Sequence, residues 1–376
     1  MEKVHFKELF DVSSGLSKGA KELANGDNPF LTFKTIFNNT FLPDEITDTA
    51  NTNKVEQEKY SVQRGDVFLT RTSETTDELG MSSVALKDYP NAVFNGFSKR
   101  LRLKPGISTY IDLKYLGYFL RSRIFRDQVD AMSNTSTRAS LNIEMINRLY
   151  IVLPDASTQE RIGNTLYLLD DKIKNNNAIN QNLEEQAFAL FDLYFPSISD
   201  GQRTVGDYIT PRRGKNLLSK NAVRGEIPVV AGGLEPATYH NVANTIAPVV
   251  TISASGANSG YVRLWNTSVW SSDSSYIDST MTSNVYFWYV MLKKRQREIY
   301  DSQTGSAQPH IYPQHIAVMP IISLSDDTIA EYTKQVTPLF CMIGSNNAEN
   351  QKLACLRDAL LPKLMSGELD VSDIDN

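Results

Sequence analysis

The sequence predicts an α+β chain: two mixed α/β heads joined by two long helices that pair as an antiparallel coiled coil, forming a pseudo-twofold internal repeat. Three observations carry this expectation. Residues 176–183 (NNAINQNL) and 346–353 (NNAENQKL) agree at six of eight positions, 170 residues apart. At the same offset of 170, Ile173 falls on Ile343, Leu190 on Leu360, Ser136 on Ser306 and Ile146 on Ile316; nearer each start the offset is 199, placing Gly15 on Gly214 and Pro29 on Pro228. Apolar residues around both octapeptides recur at alternating spacings of four and three, the period of a helical seam.

The heads come first in each copy. Short apolar runs at 67–70, 84–86, 249–253 and 261–265 are separated by Gly, Asn, Ser and Pro and read as strands. One helix stands out in each head, at 113–132 and 284–300. Each has an aromatic first half and a basic second half, with Arg121, Arg123 and Arg126 in one and Lys293, Lys294, Arg295 and Arg297 in the other. Cations suit a helix C-terminus, so solvated surface charge competes with any binding role here.

The long helices follow. The first seam runs Ile162, Leu166, Leu169, Ile173, Asn176, Asn180, Leu183, Ala187, Leu190 and Tyr194. The second runs Tyr332, Val336, Leu339, Ile343, Asn346, Asn350, Leu353, Arg357, Leu360 and Leu364. Arg357 breaks the apolar pattern and Leu356 beside it is the expected substitute, while Pro338 and Pro362 are expected to kink this copy. Ser157 before Glu160 reads as a capping box, Asp327 as the second start, and Pro196 and Ser366-Gly367 as the stops. A helix over 157–195 spans ~58 Å. With only 196–201 between the first helix and the second head, an antiparallel return makes a dumbbell with its asparagines paired across the middle, since polar seam residues fix register. Solvated asparagines in a loose section are the competing reading.

Bulk composition bounds the class. The 376 residues amount to about two domains, and 41% hydrophobic content is ordinary for a soluble protein. No apolar run approaches the ~18 residues of a membrane span, and the start, MEKVHFKELFDV, is unlike an export signal, so a soluble cytoplasmic chain is expected. Cys341 and Cys355, fourteen residues apart on one expected helix, are too far apart to bond. The net charge of −5 hides a segmental pattern: 20 basic against 19 acidic residues in 1–153, 3 against 7 in 154–196, 11 against 8 in 197–324, and 4 against 9 in 325–376. The acidic surplus lies in the helices, leaving the heads neutral to basic.

The stretches STRASLNIEMINRLYIVLPDASTQERI (136–162), GSAQPHIYPQHIAVMPI (305–321) and LRDALLPKLMSGEL (356–369), in the order head, helix, head, helix, resemble the specificity subunits of type I restriction-modification systems. Residues 323–330 (SLSDDTIA) depart from the family's usual Pro and Gln-Glu helix entry. The resemblance implies target recognition domains at 1–153 and 200–323, spacer helices at 154–199 and 324–366, and a tail at 367–376. Each recognition domain would read one half of a split double-stranded DNA sequence. The helices would be both spacer and dock for two methyltransferase subunits, with Leu169, Ile173, Asn176, Asn180, Leu183, Leu339, Ile343, Asn346, Asn350 and Leu353 as the candidates for helix pairing and partner docking. It also implies no cofactor and no catalysis in this chain, with S-adenosylmethionine on the methyltransferases and ATP and Mg2+ on motor-nuclease restriction subunits.

Residue chemistry agrees with a non-enzyme. Asp27-Asn28-Pro29-Phe30 approaches an adenine-methyltransferase loop, but its repeat counterpart is Glu226-Ile227-Pro228-Val229 and no glycine-rich cofactor strand precedes it. His5, His240, His310 and His315 show no metal spacing. The strongest DNA candidates are the paired loops with Ser136, Thr137 and Arg138 in the first copy and Ser306, Gln308 and nearby His310 in the second. Arg reads guanine and Gln reads adenine, so one frame with exchanged side chains would read different bases. Arg71, Thr72 and Ser73, and Ser255 and Asn258, follow matched strands and are the next candidates, against ordinary polar turns. Lys99, Arg100, Arg212, Arg213 and Lys215 are candidates for phosphates, which position without specifying. Tyr239, Trp265 and Trp270 read as core or rim. The alternative from another class is a two-headed protein–protein scaffold or decoy that binds no DNA.

Overall fold

His5 pairs with Tyr150 and Thr204 with Pro320, so the strand pair that closes each head recurs at the sequence offsets of 199 and 170. The computed structural model describes residues 2–72, 78–133, 140–305 and 308–371. The chain divides into two units, Met1–Lys172 with Lys352–Asn376, and Ile173–Gln351.

In the first unit a four-stranded antiparallel sheet has the order Phe10–Ser14, Ser98–Leu103, Val67–Thr70, Ser82–Val84. A second sheet orders Thr49–Ala50, Asn28–Leu31, Tyr89–Phe94 and Ser61–Val62, with Phe30 and Val93 in parallel register. All four residues of Val67–Thr70 are buried, which is why this strand reads as a continuous apolar run rather than an alternating one. Phe6, Tyr115, Phe119 and Phe125 fill the core beside Ile162 and Leu166 of the first long helix and Leu364 and Met365 of the second. Each such apolar side chain contributes about 1.5–3 kcal/mol by leaving water.

The second unit repeats the plan: Arg212–Arg213, Ser274–Asp278, Val249–Ser253, Val262–Trp265 in one sheet and Thr238–His240, Ile227–Val230, Trp270–Ser271 in the other. Its core gathers Phe191 and Phe195 from the first long helix, Phe287 from a head helix and Tyr332 from the second long helix, with ring centroids 4.9–6.3 Å apart. Gly15 and Gly214 show why the repeat keeps glycine: a Cβ would lie 2.0 Å from Asn95 O in one unit and 2.5 Å from Ser271 O in the other.

The basic helices are corrected. Each expected continuous helix is broken in two, as Leu113–Phe119 with Arg123–Ser133, and Val285–Lys294 with Gln296–Asp301. Arg121 lies in the first break and is no solvated charge. Its guanidinium donates to the carbonyls of Ile36, Phe37 and Asn39 at 3.0–3.1 Å and to that of Ser82, and burial first, then Arg126, pushes its pKa down to about 10. Arg295, in the second break, is buried and holds Glu298 and the Pro320 carbonyl.

The long helices run Ala156–Tyr194 and Asp326–Ser366, the second continuing through Pro338 and Pro362. The first starts two residues earlier than the Ser157 box implies. Asp155 is the cap, accepting from the Thr158 amide at 3.0 Å and the Thr158 hydroxyl at 2.7 Å. Gly367, at φ +76, follows the second helix in the left-handed conformation that suits a helix end. Leu356 does not replace Arg357 in the seam: Leu356 is 48% exposed, while Arg357 stays half-buried by pairing with Asp170 at 2.5 Å. Cys341 and Cys355 are free and exposed.

In the second unit the two helices run antiparallel, Tyr194 meeting Gln335 and Asn180 meeting Asn346. Four asparagines anticipated from the repeat pair across the two helices. Asn346 Nδ2 donates to Asn180 Oδ1 at 2.8 Å, with Asn347 joining through Asn180, and Asn176 Nδ2 donates to Asn350 Oδ1 at 2.8 Å, with Glu349 and Asn177 joining this second network. Asn176 is buried, so its amide depends on these partners.

Candidate nucleic-acid interface

In the first unit three segments share one end of the four-stranded sheet, the edge at which its two central strands stop. The Arg71 amide donates to the Phe97 carbonyl at 2.8 Å, the Arg71 carbonyl accepts from the Leu141 amide at 2.9 Å, and Thr72 bridges antiparallel to Ser140. The edge therefore joins the loop after residue 70, the turn at 95–97 and the chain entering residue 140. Ser73, Ser136, Thr137 and Arg138 lie outside the described residues. Beside Arg71 and Thr72 opens a groove of about 630 Å³ lined by Leu16, Leu23, Phe30, Phe33 and Phe97, the last 66% exposed.

The second unit builds the same edge from different side chains. The Ala254 amide donates to the Asp273 carbonyl at 3.1 Å, the Ala254 carbonyl accepts from the Ile311 amide at 2.9 Å, and Ser255 bridges antiparallel to His310. Thr304 and His310 exchange backbone hydrogen bonds of 2.8 and 3.1 Å, closing a hairpin that carries Gln308, exposed. His310 stacks on Tyr312, with centroids 6.0 Å apart. Ser306 lies outside the described residues. Asn258 is partly exposed, and its carbonyl accepts from the Tyr261 amide at 3.0 Å inside a turn flanked by the positive-φ residues Gly256 and Gly260. Arg212, Arg213 and Lys215 are exposed on the edge strand and just beyond it.

Two phosphate candidates are corrected. Lys99 and Arg100 lie in the second strand of the first sheet, with strands on both sides, and their residues are only 6% and 9% exposed. Lys99 Nζ donates to Ser14 Oγ at 2.6 Å, and Arg100 Nη1 to the Ser61 carbonyl at 2.7 Å with its guanidinium over the Phe94 ring. Burial first, and the neighbouring Arg71 and Arg102 respectively, push both pKa values down. These cations serve the fold. Tyr239, by contrast, is 53% exposed and belongs to no core, whereas the indole nitrogens of Trp265 and Trp270 bond to Thr251 Oγ1 and the Lys215 carbonyl.

The family model described as "Type I restriction modification DNA specificity domain" matches residues 1–185. The MjaIX type I restriction enzyme specificity subunit of Methanocaldococcus jannaschii is 25% identical over an alignment covering 98% of this chain and 93% of that protein. The chain belongs to the type I restriction-modification specificity subunits. The HindI specificity subunit of Haemophilus influenzae is also 25% identical, across 63% of this chain and 51% of its own length. The crystal structure of a type I S subunit from M. genitalium shares the fold, with a TM-score of 0.61, 18% identity and coverage of 96% of this chain and 95% of that one.

Among the described residues no group of three or more His, Cys, Asp or Glu is placed to hold a metal ion, and no helix is long and apolar enough to cross a membrane. Asn28 and Pro29 of the methyltransferase-like string lie in a strand, where Asn28 Nδ2 donates to the Thr52 carbonyl at 3.2 Å. Along the helices Leu169, Ile173, Asn176, Asn180, Leu183, Leu339, Ile343, Asn346, Asn350 and Leu353 are all buried or half-buried, which places them in contacts within the chain. Phe97 and Asp273 were missed as edge residues. They occupy one structural position but stand 176 residues apart, an offset matching neither 170 nor 199.

Proposed function

We propose that this specificity subunit reads a split, asymmetric DNA sequence for partner subunits that carry the chemistry. Residues 1–153 and 200–323 act as target recognition domains, each reading one half of the site. Residues 154–199 and 324–366 act as spacer and as the dock for two methyltransferase subunits, which supply S-adenosylmethionine. Motor-nuclease restriction subunits join this assembly with ATP and Mg2+. The observation that carries the reading is the matched edge: the Thr72–Ser140 and Ser255–His310 bridges fix the same backbone frame, while the side chains on it differ, Arg71 and Phe97 against Ala254 and Asp273. A shared frame with exchanged side chains suits two readers of different sequences, because base contacts specify while the backbone only positions.

Co-expression with the cognate adenine methyltransferase, followed by genome-wide mapping of modified adenines, tests this. A split, asymmetric motif is expected. Methylation that is absent, or confined to a continuous motif, contradicts it.

A further inference from the structure

One cross-strand pair differs between the heads in a way that points to a base. In the first unit Ser14 stands opposite Lys99 in register; in the second Arg213 stands opposite Ser275. The cation has changed strands. Lys99 is consumed by Ser14 and buried, whereas Arg213 keeps 42% of its side chain exposed and donates through Nη2 to Asp273 Oδ1 at 2.5 Å. Asp273 Oδ2 accepts from Ser255 Oγ, and Ser255 is the residue bridged to His310. One carboxylate thus ties Arg213 to the two segments that form the edge. An exposed ion pair alone adds little to stability, so stability gives little reason for this arrangement. Orientation gives a better one: a guanidinium held at one nitrogen still has several N–H donors in a fixed fork, and that fork matches O6 and N7 of guanine.

Resting on the function proposed above, we propose that Arg213 reads a guanine in the half-site of the second head and that Asp273 is its positioning residue. Arg212 and Lys215, exposed and without a carboxylate partner among the described residues, keep the phosphate role.

The test uses the complex of this chain with its methyltransferase subunits and compares methylation of duplexes that differ at single positions of the mapped motif. Arg213→Ala is expected to relax one guanine position in one half-site, lowering discrimination there roughly 5- to 150-fold, with the other half unchanged. Arg213→Lys, which keeps the charge but loses the fork, should relax the same position. Asp273→Ala should also relax that position, and adding it to Arg213→Ala should have no further effect, because a positioning residue acts through its partner. A uniform loss across all sequences with a shallower salt dependence makes Arg213 a phosphate contact and overturns the proposal. So does an Asp273→Ala effect at another position, or one additive with Arg213→Ala. A wild-type split motif untouched by either Arg213 variant overturns this assignment alone; a wild-type complex that modifies no split motif overturns the specificity reading and this assignment with it.

Discussion

Arg357 occupies an apolar seam position of the second long helix by donating to Asp170 on the first at 2.5 Å, and the other oxygen of Asp170 accepts from the Tyr118 hydroxyl at 2.6 Å. Burial opposes the guanidinium charge, but the carboxylates of Asp170 and Asp358 outweigh it and raise the Arg357 pKa. A head helix and both long helices therefore meet at one carboxylate. Arg357→Ala leaves Asp170 without its cation and is expected to cost about 1–3 kcal/mol. A double-mutant cycle with Asp170→Ala in thermal or urea denaturation should give a coupling of at least about 0.5 kcal/mol. Additive losses would show that the pair does not hold the helices together.

Asn176 offers a second measurement. Its amide donates to Asn350 and Glu349 from a buried position, so Asn176→Ala is expected to lower stability by about 1–3 kcal/mol. Replacing both Asn176 and Asn350 by Leu should instead raise the melting temperature, since a polar seam residue gives up stability for register. If the double leucine variant melts lower than wild type, the network is a stabiliser and not a register device.

Much of this was legible because a repeat supplies its own comparison. The offsets of 170 and 199 reappear as strand register, and the periodicity of four and three located both long helices. What stayed hidden depended on partners distant in sequence. Arg121 looks like one more helix cation until the carbonyls of Ile36, Phe37 and Asn39 surround it. The strand carrying Lys99 and Arg100 is internal to its sheet, and their burial is a property of sheet order rather than of residue type. Asp155 was overlooked as a cap because Ser157 fits the capping-box pattern, although the residue that accepts the Thr158 amide is two positions earlier. On the candidate edges, Phe97 and Asp273 were missed because the change of offset falls between the anchored parts of the repeat.

Asp155 also sets a pH dependence. Its pKa is lowered, first by the Thr158 hydroxyl and then by the Thr158 amide. A depressed folded-state value means its contribution is fully present above the ordinary aspartate range and is lost as the pH falls through the lower folded value. Amides of the first helical turn should exchange faster in Asp155→Ala than in wild type at neutral pH, and the difference should close on acidification. A difference that persists in acid would exclude the carboxylate as its source.

Docking is tested by a proline in the seam. Leu169→Pro removes a backbone donor within the helix Ala156–Tyr194 and is expected to cost ~3 kcal/mol or more. Copurification with the methyltransferase subunits should be lost. Normal recovery of the complex would mean that the helices are not the dock.

Two independent readers share one chain in this proposal, and exchange of a single head is the decisive test. Residues 1–153 replaced by the corresponding head of another specificity subunit, expressed with the same methyltransferase and followed by methylation mapping, should change one half of the motif and leave the other half intact. Simultaneous change of both halves, or of neither, would contradict the account.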